Sequence, residues 1–243
     1  MCRLLFLRRG ACRKITSLQP WLDRLVASNG GDGNGYATMK GGSVKGVGLS
    51  AEECAHAICG PLRKSNVVWH TRLISCGGKV DELCHPFGTG MGYLIHNGHW
   101  MKGAFAAKLM AGEWSDSRVA ALYTRLYGWG SLCHHVDSGV WIHLIKEGVQ
   151  VCYKSGSLYV ELQTGSLCSE PCPLWGEWAP AQEGIYDVED SVAPKPALNP
   201  RRLLQGRIPD RQPPIETVRW QETNGRLNLD WRDELYPRKV SSR

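Results

Sequence analysis

The chain opens Met1-Cys2-Arg3, and Cys2 is the residue with the most chemistry available to it. If Met1 is removed, Cys2 becomes the N-terminus and carries a thiol nucleophile and a free α-amine in one residue. An α-amine titrates near pH ~8 and can accept a proton at neutral pH, while a thiol of pKa ~8.5 needs only modest help to become a thiolate. Nucleophile and base would then be a single residue. On Cys2 alone the plainer reading stands ahead, an ordinary buried cysteine behind a retained methionine. Residues far along the chain decide between the two.

Several segments along the chain could deliver partners to Cys2. Leu4-Leu5-Phe6-Leu7 reads as a buried strand over residues 3–8, and Leu18, Trp21, Leu22, Leu25 and Val26 recur at helical spacing. The glycine run from Asn29 to Gly35 reads as a structural turn. It lacks the Gly-Lys-Ser/Thr ending of a phosphate loop, and a short hairpin from Tyr36–Met39 to Val44–Gly48 follows it. Ser50 and Glu53 make a capping box for a helix carrying Ala51, Cys54, Ala55 and Ile58. Val67-Val68-Trp69 is β-rich and delivers His70-Thr71-Arg72 to a strand end, and Gly92 to Ile95 does the same for His96-Asn97-Gly98.

Met101, Phe105 and Leu109 then mark a helix. Ser115 or Asp116 caps the next, with Val119, Leu122, Tyr123 and Leu126 as its face. Beyond Gly128 the texture is of strands and turns: Gly139–Ile145, Val149–Tyr153 and Leu158–Leu162 read as a meander, Gly165–Pro171 as an added edge, and His134-His135 as loop.

Four pieces now stand together: Cys2, Thr71-Arg72 after one strand, Asn97-Gly98 after another, and Ser115-Asp116-Ser117 opening a helix. With them stand Gly31-Asp32-Gly33-Asn34-Gly35-Tyr36-Ala37, His85-Pro86-Phe87 and Ser169-Glu170-Pro171. In order and approximate spacing this set resembles the class II glutamine amidotransferase family, the N-terminal-cysteine branch of the N-terminal nucleophile hydrolases, from Cys2 to about Pro171.

The resemblance implies an α/β (α+β) fold, a four-layer αββα sandwich of two antiparallel sheets between helices. It also implies a glutaminase-type amidohydrolase that cleaves a γ-glutamyl amide through a Cys2 thioester. Arg72 would offer its planar fork to the substrate carboxylate and Asp116 its charge to the ammonium. The Asn97 side chain and the Gly98 N–H would meet the oxyanion, each such donor being worth roughly 3 to 4 kcal/mol. Ser75 and His85 lie where relatives support the substrate. Such covalent catalysis needs no metal and no organic cofactor.

Departures from the pattern bear on the substrate. Arg3 stands where many relatives have glycine, and Met-Cys-Arg instead resembles a stand-alone subgroup that includes γ-glutamyl hydrolases of thiol-histidine biosynthesis. Cys76 stands where sugar-phosphate amidotransferases often have histidine. Two readings follow: glutamine cleavage that releases ammonia to a separate acceptor synthetase, or hydrolysis of another γ-glutamyl compound. A third, from another class, is an inactive amidotransferase-like binding protein.

Composition bounds these readings. With 243 residues, 42% of them hydrophobic, the chain is long enough for a large core. No apolar run approaches the ~20 residues of a membrane span, and no secretion leader is evident, so a cytoplasmic protein is expected. Ten irregularly spaced cysteines read as reduced thiols. Cys168-x3-Cys172, Cys76, Cys84-His85 and His134-His135 lack the paired regularity of a zinc site. The domain is expected over residues 1–180, with 181–243 a Pro-rich basic arm, extended or partly disordered. From Val192 onward it has eleven Lys/Arg against six Asp/Glu, which favours a solvated arm over one that binds nucleic acid.

Overall fold

Strand β1 (Arg3–Leu7) is apolar at every position after Arg3, because both of its faces are covered. Leu4 and Phe6 point into one core and Leu5 and Leu7 into another. That alternation organises the molecule, which the computed structural model describes over residues 2–11, 15–28 and 31–189.

The remaining elements are α1 (Ile15–Ala27), β2 (Gly33–Thr38), β3 (Gly42–Gly46), α2 (Ala51–Cys59), β4 (Val67–Arg72), β5 (Phe87–Gly88), β6 (Gly92–Asn97), α3 (Met101–Leu109) and α4 (Asp116–Tyr127). After them come α5 (Trp129–His135), β7 (Val140–Ile145), β8 (Gly148–Tyr153), β9 (Tyr159–Glu161), β10 (Leu167–Cys168), β11 (Trp178–Pro180) and β12 (Gly184–Glu189).

The strands form two antiparallel sheets, one of seven in the order β11-β9-β10-β1-β4-β2-β3 and one of five in the order β12-β8-β7-β6-β5. Leu4, Phe6 and Val68 of the first sheet meet Ile95, Val140, Ile142 and Leu144 of the second in a shared core. On its other face the first sheet buries Leu5, Leu7 and Trp69 against Leu18, Trp21 and Leu22 of α1 and Cys54, Ala55 and Ile58 of α2. The second sheet buries Leu94, Trp141 and Cys152 against Ala107, Ala120, Ala121 and Leu132 of α3, α4 and α5. Helix, sheet, sheet and helix are therefore the four layers expected.

Several local expectations need correction. Gly33-Asn34-Gly35, read as turn, begins strand β2, because close neighbours occupy the space that side chains would need. Residues 129–135 are helix α5, so His134 and His135 are helical and not in a loop. Strand β9 leaves the meander and pairs with β10 and β11 in the first sheet, and β10 is no edge, since it pairs with β1 as well. Strand β12 pairs with β8 from Gly184 to Glu189, which carries the folded unit past residue 180. Residues 190–243 of the arm lie outside the described residues, as do Met1, residues 12–14, Asn29 and Gly30. Among the described residues no helix is long and apolar enough to cross a membrane.

Candidate active site

The site is built where the gap between the sheets opens at the start of β1. Cys2 has the parity of Leu4 and Phe6, which face the second sheet, so its side chain is directed into the gap. The pairing Arg3↔Thr71 sets Cys2 beside Arg72 at the end of β4. Asn97 ends β6 and Asp116 begins α4, bringing both to the same end.

A pocket there is lined by Cys2, Arg72, Leu73, Ser75, Cys76, His85, His96, Gly98, Ser115, Asp116 and Ser117. Six of the seven residues singled out from sequence therefore share one pocket. The seventh, Asn97, is buried at the end of β6 but does not line it, and its Oδ1 has no hydrogen-bond partner. The pocket encloses about 20 Å³, room for a water molecule and not for an amino acid.

Cys2 is only partly covered, and its thiol exchanges hydrogen bonds with the Leu73 backbone, Sγ to O at 3.5 Å and N to Sγ at 3.3 Å. Burial pushes the thiol up from its ordinary value, while the Leu73 N–H and the Arg72 guanidinium act in the opposite direction. The next residue is anchored from behind: Arg3 Nε donates to Glu170 Oε2 at 2.7 Å, and the Leu4 N–H donates to Ser169 Oγ at 3.0 Å. The Ser169-Glu170 pair thus fixes the strand that carries Cys2.

Arg72 is buried, and its two terminal nitrogens donate to the carbonyls of Cys76 and Gly78, each at 2.7 Å. It therefore holds the 73–79 loop over the pocket. Asp32 holds the same loop from outside, accepting from Ile74 N at 2.9 Å and pairing with Lys79 at 3.2 Å. The Ile74 bond, with Lys79, keeps the Asp32 carboxyl below its ordinary range.

Ser115, not Asp116, is the N-cap of α4, its Oγ accepting from Arg118 N at 3.2 Å. Asp116 is the first helical residue and faces inward, accepting from Trp100 N at 2.9 Å and Ser117 N at 2.8 Å. The Ser117 hydroxyl donates as well, at 3.3 Å; a carboxylate has about four acceptor sites, so capacity for one ammonium hydrogen remains. Gly98 must be glycine: a Cβ there would lie 2.7 Å from Gly139 Cα and 2.9 Å from His96 Nε2. Among the described residues no three His, Cys, Asp or Glu side chains gather as a metal ion would require.

No family model and no curated protein sequence matches the chain. Among solved structures it is similar to the allosteric regulatory enzyme of purine biosynthesis, with a TM-score of 0.54 and 15% identity over 78% of this chain. The fold is that of the N-terminal nucleophile hydrolases. The match takes in 47% of the other chain, so this protein spans about half the length of that relative. At 15% identity the likeness speaks for the N-terminal nucleophile hydrolase fold and not for the chemistry.

Within that fold, sequence reasoning passed over Ser115, Ser117 and His96 as site residues, although each stood next to one that it named. His96 stacks on Trp141 with ring centroids 3.5 Å apart, and its Nδ1 meets Ser117 Oγ at 3.0 Å. The signal available was adjacency, since a strand end that delivers Asn97 and Gly98 also fixes the residue before them.

Proposed function

We propose that this protein is an amidohydrolase that cleaves a γ-glutamyl amide through a thioester on Cys2, once Met1 has been removed. One observation carries the proposal: Cys2, Arg72, Gly98 and Asp116, from four separate segments, line a single pocket. They are the groups needed to attack an amide while holding the carboxylate and ammonium of the same substrate.

The Cys2 sulfur attacks the amide carbon, and the α-amine of Cys2 carries the thiol proton to the departing ammonia. The Gly98 N–H, and the Asn97 amide once turned toward the pocket, meet the charge developing on oxygen. A substrate carboxylate competes for Arg72 against two neutral carbonyls, and the charge-assisted pair is the stronger. Binding therefore exchanges the contacts of Arg72 with the 73–79 loop for contacts with substrate, and opens the space that the substrate needs. Asp116 takes the ammonium. Glutamine presents all three groups, as other γ-glutamyl amides do, and ammonia released from it would pass to a separate synthetase.

The test is exposure to diazo-oxo-norleucine, a glutamine-like electrophile, with intact-mass and peptide mass spectrometry. Protein lacking Met1 is expected to gain one label, on Cys2, and to lose glutaminase activity in step. The Cys2→Ala variant is expected to take no label. Failure to label Cys2 in protein shown to have lost Met1 sinks the mechanism.

A further inference from the structure

The carboxylate set to take the substrate ammonium has a neighbour that the acylation chemistry leaves unused. Asp116 Oδ1 accepts from the Ser117 N–H at 2.8 Å and the Ser117 hydroxyl at 3.3 Å, and Oδ2 accepts from the Trp100 N–H at 2.9 Å. One lone pair on Oδ2 is left for an ammonium hydrogen. His99 Nδ1 lies 3.6 Å from that same oxygen. This nitrogen is buried and has no hydrogen-bond partner, while the His99 side chain as a whole is 42% exposed. The exposure therefore belongs to the rest of the ring, which exchanges protons with solvent.

The backbone holds the ring in that place. His99 stands between Gly98 and Trp100, whose N–H is itself a donor to Asp116. Ser138 Oγ donates to the His99 carbonyl at 2.8 Å, and the Trp100 indole N–H donates to the His135 carbonyl at 3.3 Å. A Cβ at Gly98 would lie 2.7 Å from Gly139 Cα, so the chain is packed close on this side as well. The segment that presents the Gly98 N–H to the pocket thus also sets the His99 ring beside Asp116.

A neutral imidazole at 3.6 Å makes no hydrogen bond to Oδ2 and leaves its lone pair open. A protonated one brings an N–H and a positive charge to the same oxygen, taking the lone pair and offsetting the charge that would hold the ammonium. Histidine is the side chain that makes this change between about pH 8 and pH 5. The other charged groups around Asp116 behave differently. Arg118, on the same helix, donates to the Glu113 carbonyl and lies over the Trp114 ring. Arg72 of β4 keeps its charge and donates to the Cys76 and Gly78 carbonyls. His96 of β6 is lowered to about 4 by burial and stays neutral. Cys2 of β1 does titrate within reach of Asp116, but it attacks every substrate alike.

We propose that His99 sets the strength of the ammonium subsite: neutral, it leaves Asp116 to a substrate with a free α-ammonium, and protonated, it competes with that substrate for the carboxylate. This role rests on the amide-cleaving reading above. His99 acts through Asp116 and touches no reacting atom, so it is a positioning residue. Its protonation weakens binding of the ammonium and leaves the chemical step at Cys2 unchanged.

The experiment measures KM and kcat of Met1-free protein from pH 8 to pH 6.5, for glutamine and for 4-carbamoylbutanoate, which is glutamine without its amine. Both compounds bring a carboxylate to Arg72 and an amide to Cys2, so titration of Cys2 cancels in the ratio of their KM values. In the wild type the ratio of glutamine to analogue is expected to rise roughly threefold on acidification, the scale of a half-exposed ion pair. In His99→Gln, which gains no proton, the ratio is expected to stay flat. His99→Lys is charged throughout and is expected to hold the ratio roughly fivefold above wild type already at pH 8. In all three proteins kcat for glutamine is expected to follow one pH curve.

A wild-type ratio that does not move with pH, or that moves alike in His99→Gln, overturns the proposal, as does a His99→Lys ratio equal to that of the wild type at pH 8. A wild-type protein that cleaves neither compound and takes no diazo-oxo-norleucine label overturns the amide-cleaving reading and this one with it, a result distinct from cleavage with an unmoved ratio.

Discussion

Cys2 as the structure places it is not a preformed thiolate. Burial is the largest influence on it and raises the thiol from its ordinary value, against the Leu73 N–H and the Arg72 charge. At neutral pH the sulfur is therefore protonated, and attack requires a base within reach. This is the physical need that a free α-amine at the same residue would meet. The sign of the shift gives a direct prediction. Alkylation of Cys2 by iodoacetamide, followed by peptide mass spectrometry, is expected to keep rising with pH past ~8.5, where an ordinary thiol begins to level off. A plateau below pH 8 contradicts it and leaves the amine with no proton to remove. Much of the site was legible at this scale because its residue types are chemically demanding. Cys2, Arg72, Gly98 and Asp116 are residue types that an amide-cleaving site demands together, and all four line the pocket. What Asn97 and His99 contribute depended on amide orientation and on the neighbour that a ring meets, neither of which has a sequence signature.

Helix α3 shows where periodicity misleads. Met101, Phe105 and Leu109 recur every four residues and mark the helix, yet they are 64%, 67% and 52% exposed. The buried face is Gly103, Ala104 and Ala107. Small residues win because Trp100 folds back over the helix: a Cβ at Gly103 would lie 2.2 Å from its ring. Helix α4 keeps most of its expected face, with Val119 buried and Leu122 and Tyr123 packed against the core, and adds Ala120, Ala121 and Thr124, while Leu126 is exposed. The helices were found because large apolar residues mark a helical period. The small residues on their buried sides do not stand out, because close packing selects residues too small to register in that count. Phe105→Ser is therefore expected to change unfolding free energy by less than about 0.5 kcal/mol, and Ala104→Leu to cost about 1–3 kcal/mol by overpacking. Urea denaturation of the two variants decides it, and a large loss from Phe105→Ser would mean that the stripe is covered in solution. Strand placement failed for a different reason. The short segment Leu167–Cys168 pairs with the distant β1 and brings Tyr159–Glu161 into the same sheet, and local pattern carries no information about a partner more than 150 residues away.

At the scale of the whole molecule, layering buries histidines that a looser fold would leave in water. Burial lowers His70 to about 3 and both His96 and His143 to about 4, and takes His85 well below its ordinary value. Asp116 opposes the shift at His96, the bond to Gln150 at His143 and the bond to the His96 carbonyl at His70, but desolvation dominates in each case. In the unfolded chain all four titrate near ~6.5. Folded values lie below unfolded ones, so the unfolded state binds more protons as pH falls. The stability contributed by keeping these rings neutral is complete above ~6.5 and is lost on the way down toward pH 4. Each ring costs about 1.4 kcal/mol per pH unit in that window, so four cost on the order of 5 kcal/mol by pH 5.5. That is comparable to the whole stability of many domains, about 5–15 kcal/mol. The protein is therefore expected to lose its structure between pH 6 and 5, before most carboxylates titrate. Thermal melts from pH 7.5 to 5 would show a steep fall in Tm starting near 6.5, and a flat profile would contradict the assignment. His143 separates histidine titration from other acid effects, because it lies outside the pocket and bonds only to Thr89 at 2.8 Å and Gln150 at 3.1 Å. His143→Gln removes one titrating ring, so its stability should fall less steeply with pH, by about 1.4 kcal/mol per unit, whatever its stability at pH 7.5.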